Sequence, residues 1–139
     1  MRRALAAGLA IAALASATAV AAPSLRIVSV KVVKAGTRTA AHQPLARGGR
    51  YAYRVDYRVG GRTEVRVART GTFLSPYGDI LEQIEPAPAL ADPGRLFASG
   101  PLHVAVGDSP GEYVLRYSVT ASNASGSTTR DAVLRMRFR

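Results

Sequence analysis

Apolar and polar residues alternate with a period of two along most of this chain, the signature of half-buried β-strands. In RYAYRVDYRV (50–59), Tyr51, Tyr53, Val55, Tyr57 and Val59 share one face, and Arg50, Arg54, Asp56 and Arg58 share the other. From 113 onward, Tyr113, Leu115, Tyr117, Val119 and Ala121 oppose Val114, Arg116, Ser118 and Thr120. The last run sets Ala132, Leu134, Met136 and Phe138 against Val133, Arg135, Arg137 and Arg139. Shorter runs place Val28, Val30 and Val32 together in 25–34, Val65 and Val67 together in 63–70, and Leu102, Val104 and Val106 together in 102–106. No stretch beyond the N-terminal segment sustains a helical period. Glycine, proline and asparagine clusters separate the runs, at Gly60-Gly61, Pro76 to Asp79, Asp92 to Gly94, Gly107 to Gly111 and Asn123 to Gly126.

Around Gly60-Gly61 the pattern predicts a hairpin. Opposed residues of an antiparallel pair share a face. A loop of Gly60, Gly61 and Arg62 meets that condition by pairing Tyr57 with Val65 and Val55 with Val67. It also sets Asp56 opposite Arg66 and Arg58 opposite Glu64, two complementary charge pairs on the solvent face. Residues 71–101 are less regular and rich in proline, with short strands expected at Ile80 to Ile84 and Leu96 to Ala98.

The N-terminus changes the destination of the protein. Arg2 and Arg3 precede an apolar run from Ala4 to Ala15, and Ala19-Val20-Ala21 fits the small-x-small rule for signal peptidase. The expectation is a cleavable signal peptide over 1–21 and one domain over 22–139, with no transmembrane segment in the mature chain. The chain has no cysteine, which excludes disulfides, thiol catalysis and a lipoprotein anchor. A cysteine-free exported chain rich in Ala, Arg and Gly points to a bacterial periplasmic protein, or alternatively a secreted one.

Several short strands with no helix imply an all-β fold, an antiparallel β-sandwich of about seven strands. DSPGEYVLRYSVTASNASG (108–126) resembles the end of an immunoglobulin-like or PKD-like domain of bacterial exported proteins, across the last third of the chain. The resemblance places Tyr113 at the tyrosine corner, its hydroxyl bonding to backbone upstream, and Leu115 where antibody-type domains carry a cysteine. It implies an immunoglobulin-like sandwich, a fold that hosts many roles and names none.

Catalytic chemistry finds little support. His42 and His103 are far apart in sequence, no serine sits in a nucleophile context, and no glycine loop is built to cradle phosphate. Asp79, Glu82, Glu85 and Asp92 are spaced too loosely for a calcium loop, and a small hydrolase using them is the weakest reading. No cofactor is expected. Charge is more informative. The chain carries 19 Lys and Arg against 9 Asp and Glu, for +10, and losing Arg2 and Arg3 with the leader leaves +8. Arg54, Arg58, Arg66, Arg116, Arg135 and Arg137 are the candidate anion- or partner-binding residues, on outward faces that would merge if the hairpin joined the last two strands. Nucleic acid is excluded by export and by the lack of aromatics between the arginines. The expectation is a non-catalytic envelope module with a protein partner, or alternatively a binder of anionic glycan or lipid headgroups.

Overall fold

The computed structural model describes residues 21–139; the expected signal peptide lies almost wholly outside them. Eight strands and no helix make up the described chain: β1 (Ser24–Lys34), β2 (Tyr51–Gly60), β3 (Val65–Leu74), β4 (Ile80–Ile84), β5 (Ala89–Ala91), β6 (Gly94–Leu102), β7 (Gly111–Asn123) and β8 (Gly126–Phe138). They form two antiparallel sheets. Sheet A has the order β1-β2-β6; sheet B has the order β4-β3-β7-β8, with β5 also paired to β3.

The alternation read from sequence fills the space between the sheets. Tyr53, Val55, Tyr57 and Val59 of β2 are buried, as are Val65, Val67 and Phe73 of β3. Tyr113, Leu115, Tyr117, Val119 and Ala121 of β7 and Leu134, Met136 and Phe138 of β8 complete the core. Its aromatic end is a chain of ring contacts, with Tyr113 5.7 Å from Phe73 and 5.3 Å from Phe138. These offset and edge-on pairs add to the burial of the rings themselves.

Gly60-Gly61 does not close a hairpin. β2 pairs with β1 and β6, whereas β3 pairs with β4, β5 and β7, so the connection crosses from one sheet to the other. Val59 and Val65, on either side of it, are both buried because the two strands face each other across the core. The expected pairs Asp56–Arg66 and Arg58–Glu64 are therefore absent. Asp56 instead takes a two-pronged bond from Arg54, Nε to Oδ2 at 3.1 Å and Nη2 to Oδ1 at 3.1 Å.

Three further expectations shift. β1 carries a bulge at Val28, between the pairs Ile27↔Tyr57 and Ser29↔Asp56. Leu25 and Ile27 point inward before it and Val30 and Val32 after it, leaving Val28 outside. The expected strand at 102–106 is a turn: Leu102 ends β6, Val104 is buried and Val106 is exposed, with Asp108 Oδ2 accepting from the Ala105 amide at 2.8 Å. The proline-rich middle is more regular than composition suggests, since β3 runs on to Leu74 and β6 spans nine residues.

The free edge of β8 is covered. The Leu45 amide donates to the Arg137 carbonyl at 2.7 Å and the Arg139 amide to the Leu45 carbonyl at 2.9 Å. Gln43 clasps the same edge, donating to the Arg135 carbonyl and accepting from the Arg137 amide. Arg47 then ties the carbonyls of Val106, Asp108 and Arg139 together.

Candidate functional site: two arginine-bearing sheet faces

The six candidate arginines divide between opposite sides of the sandwich. Arg54 and Arg58 lie on the outside of sheet A; Arg66, Arg116, Arg135 and Arg137 lie on the outside of sheet B. A single basic surface spanning the expected hairpin and the last strands does not form, because β2 and β3 belong to different sheets.

On sheet B the four arginines are dispersed. Arg116 stands between Thr72 of β3 and Val133 of β8. It shares a groove with Thr70, Ser118 and Asp131, and a second with Ser75, Glu112 and Arg135. Arg135 is matched by Glu112, Nη1 to Oε1 at 3.0 Å, an exposed pair of small energetic weight. Arg137 stands directly across from the same Glu112. Arg66 lies opposite Ser122, six residues along β3 from the partner of Arg116, roughly 20 Å away at strand rise. Hydroxyl groups dominate between them, with Thr120 against Thr129 at 2.7 Å and Ser118 donating to Asp131 at 2.7 Å.

Sheet A concentrates positive charge. Arg58 on the central strand stands opposite Arg26 of β1 on one side and Arg95 of β6 on the other. All three side chains are exposed. Neighbouring strands are about 4.8 Å apart, so three guanidinium groups leave one row of the sheet side by side. Like charges directly opposed across strands are destabilising. Two steps away, a second row sets Lys31 opposite Arg54. The acid on this face is Asp56, and Arg54 already engages it, with Ser29 Oγ donating to its Oδ2 at 3.3 Å. Burial would raise the Asp56 carboxyl, but the Arg54 fork, with Ser29 and Lys31, holds it below the usual carboxylate range. Arg54 also lies 4.2 Å over the ring of Phe97, itself 52% exposed.

Sequence reasoning missed Arg26 and Arg95. The alternation of Leu25, Arg26 and Ile27 marks Arg26 as outward, yet only the strand order β1-β2-β6 brings Arg26, Arg58 and Arg95 into line. Tyr113 donates its hydroxyl to the Ser109 carbonyl at 2.6 Å, four residues upstream. The carboxylates Asp79, Glu82, Glu85 and Asp92 are spread along exposed loop and edge positions. Among the described residues no group of three metal-ligating side chains comes together, and no helix is long and apolar enough to cross a membrane.

No protein-family model matches the chain, and no curated protein matches it. Among solved structures it is similar to the C-terminal domain of Wzt, at a TM-score of 0.59 and 12% identity, over 83% of this chain and 73% of that one. The likeness is one of fold, a β-sandwich.

Proposed function

We propose that this chain is a non-catalytic, exported binding module of the bacterial envelope. Its ligand is an anionic glycan, bearing phosphate or carboxylate groups, held on the outer face of sheet A. The observation that carries this reading is the row Arg26–Arg58–Arg95. Three adjacent cations repel one another, and the nearest carboxylate is already engaged by Arg54. A polyanion lying across the strands removes that repulsion and engages each planar guanidinium through paired hydrogen bonds. A periplasmic setting supplies such polymers.

The test is binding of the processed protein to polygalacturonate and to polyphosphate across a salt series. Affinity should fall steeply with salt and collapse in the variant R26E/R58E/R95E. R116E/R135E/R137E, on the opposite sheet, should bind almost as well as the parent. Equal loss in both variants, or binding indifferent to salt, would defeat the proposal. Preference for vesicles of anionic phospholipid over both polymers would shift the ligand from glycan to lipid headgroup.

A protein partner is the second reading, favoured by the outer backbone edge of β6. Among the described residues that strand pairs only with β2, so its other edge can accept an added strand. Ser99→Pro should prevent strand addition while leaving polyanion binding on the sheet face intact. Undiminished capture of an envelope protein by Ser99→Pro would count against this reading.

A further inference from the structure

Arg69 is the one arginine of β3 that faces the core. It continues the inward series Val65, Val67, Arg69, Gly71 and Phe73, and it stands opposite buried Val119 of β7. Its Nε is buried and makes no hydrogen bond. Among the described residues the ion pairs are Arg54–Asp56 and Arg135–Glu112, and neither involves Arg69. The inward-side acid on the neighbouring strand is Glu82, opposite Phe73, with its backbone roughly 13 Å along β3 from Arg69 at strand rise; its charge reaches Tyr53, as that of Arg69 does, yet it forms no ion pair with Arg69. A guanidinium with a buried nitrogen and no acceptor is costly to leave so.

Three phenols on the inward faces feel the charge of this cation. Tyr53 and Tyr117 pack with ring centroids 5.4 Å apart, and Tyr57 follows Tyr53 on the inward face of β2. Burial raises the hydroxyl pKa of all three while the Arg69 charge opposes it, and the Tyr53 and Tyr117 hydroxyls are also coupled to each other, so at neutral pH all three are protonated. The edge of sheet B is broken at this level. β5 pairs with β3 only as far as Val67 and β4 only from Gly71, so among the described residues Ala68, Arg69 and Thr70 have no edge partner. Within the core the Tyr53 ring packs over Gly100 of β6 and the Tyr117 ring over Gly71 of β3, so the phenols themselves occupy the space beside the two glycines.

We infer that Arg69, with the hydroxyls of Tyr53, Tyr57 and Tyr117, forms a second binding site, between the sheets, for a single carboxylate group. One unneutralised guanidinium among neutral phenols balances one negative charge, and a planar carboxylate matches the guanidinium fork. Phosphate, near two negative charges, would remain half compensated there. The site is separate from the outer face of sheet A and stands whether or not that face binds a glycan.

Titration of the processed, 15N-labelled protein with glucuronate, acetate, glucose and inorganic phosphate tests the site. The Arg69 Nε–H resonance and the tyrosine fluorescence, read directly in a chain without tryptophan, should shift saturably with glucuronate and not with glucose. Arg69→Met, which keeps an apolar stem at the position, should weaken glucuronate binding at least about tenfold, and Tyr117→Phe a few-fold. R26E/R58E/R95E should bind glucuronate like the parent, which separates this site from the outer face. Should Arg69→Met fail to fold, the Nε–H resonance of the parent still decides. A resonance unmoved by either carboxylate, an Arg69→Met variant that binds like the parent, or tighter binding of phosphate than of glucuronate would overturn the assignment.

Discussion

The Arg54 guanidinium lies 4.2 Å from the centre of the Phe97 ring, which sits on the neighbouring strand of sheet A. The same guanidinium forks onto Asp56, so one side chain links ring, cation and carboxylate across β2 and β6. Removing Phe97 frees one side of that arrangement. Phe97→Ala should lower stability by about 0.5–1 kcal/mol in urea unfolding, the usual range for an exposed cation–π contact. Arg54→Ala should cost more, roughly 1–2 kcal/mol, because a part-buried Asp56 loses its charged partner.

Acid should expose the same pair. The folded Asp56 carboxyl sits below its unfolded value, so its contribution is present at neutral pH and is lost as pH falls through the carboxylate range. Stability measured between pH 6 and about 2.5 should decline, and Asp56→Asn should decline less over that interval. An identical slope in the two proteins would assign the acid sensitivity elsewhere.

Alkali should act through the core. Burial raises the folded pKa of Tyr53, Tyr57, Tyr113 and Tyr117 above the unfolded value. Their stabilising contribution is complete below about pH 10 and disappears as pH climbs toward the raised values. In a spectrophotometric titration these four phenols should ionise late, together with loss of the fold. Early, reversible ionisation of all six tyrosines of the chain would contradict the packing described for them.

The hydroxyl of Tyr113 can be tested alone. Tyr113→Phe keeps the ring contacts with Phe73 and Phe138 but deletes the 2.6 Å bond to the Ser109 carbonyl. The expected loss is about 1 kcal/mol by denaturant unfolding, with little change in the unfolding slope.

Two glycines admit the inter-sheet tyrosines. A Cβ at Gly71 would lie 2.9 Å from the Tyr117 ring and 3.4 Å from Ile84 Cβ, and one at Gly100 would lie 2.7 Å from the Tyr53 ring. Gly71→Ala and Gly100→Ala should each destabilise by about 1–3 kcal/mol through overpacking. Both should also alter the fluorescence of the tyrosine pair.

Alternation alone identifies which residues face inward on β2, β7 and β8, and so most of the core. It does not identify which sheet a strand joins. Tyr57 facing Val65 satisfies the same pattern whether the two strands pair side by side or face each other across the core, and here they face each other. Charge complementarity misled for the same reason, since Asp56 found Arg54 two residues away on its own strand. Arg69 was legible in principle, because it continues the series Val65 and Val67 at a spacing of two. The alignment of Arg26, Arg58 and Arg95 was not, because it depends on a strand order linking residues 69 positions apart.

The extra residue at Val28 acts as a phase switch in β1. Leu25 and Ile27 occupy odd positions and Val30 and Val32 even ones, so no unbroken strand could keep both sets in the core. The same offset lets Arg26 and Lys31, of opposite parity, both reach solvent on the outer face of sheet A. Flattening the bulge with Val28 kept in the pairing would force a choice, turning either Arg26 or Lys31 into the apolar interior, whereas deleting Val28 would leave a regular strand with both faces intact. The basic face and the core of the first strand thus keep a common register because one surplus residue is looped out of the pairing.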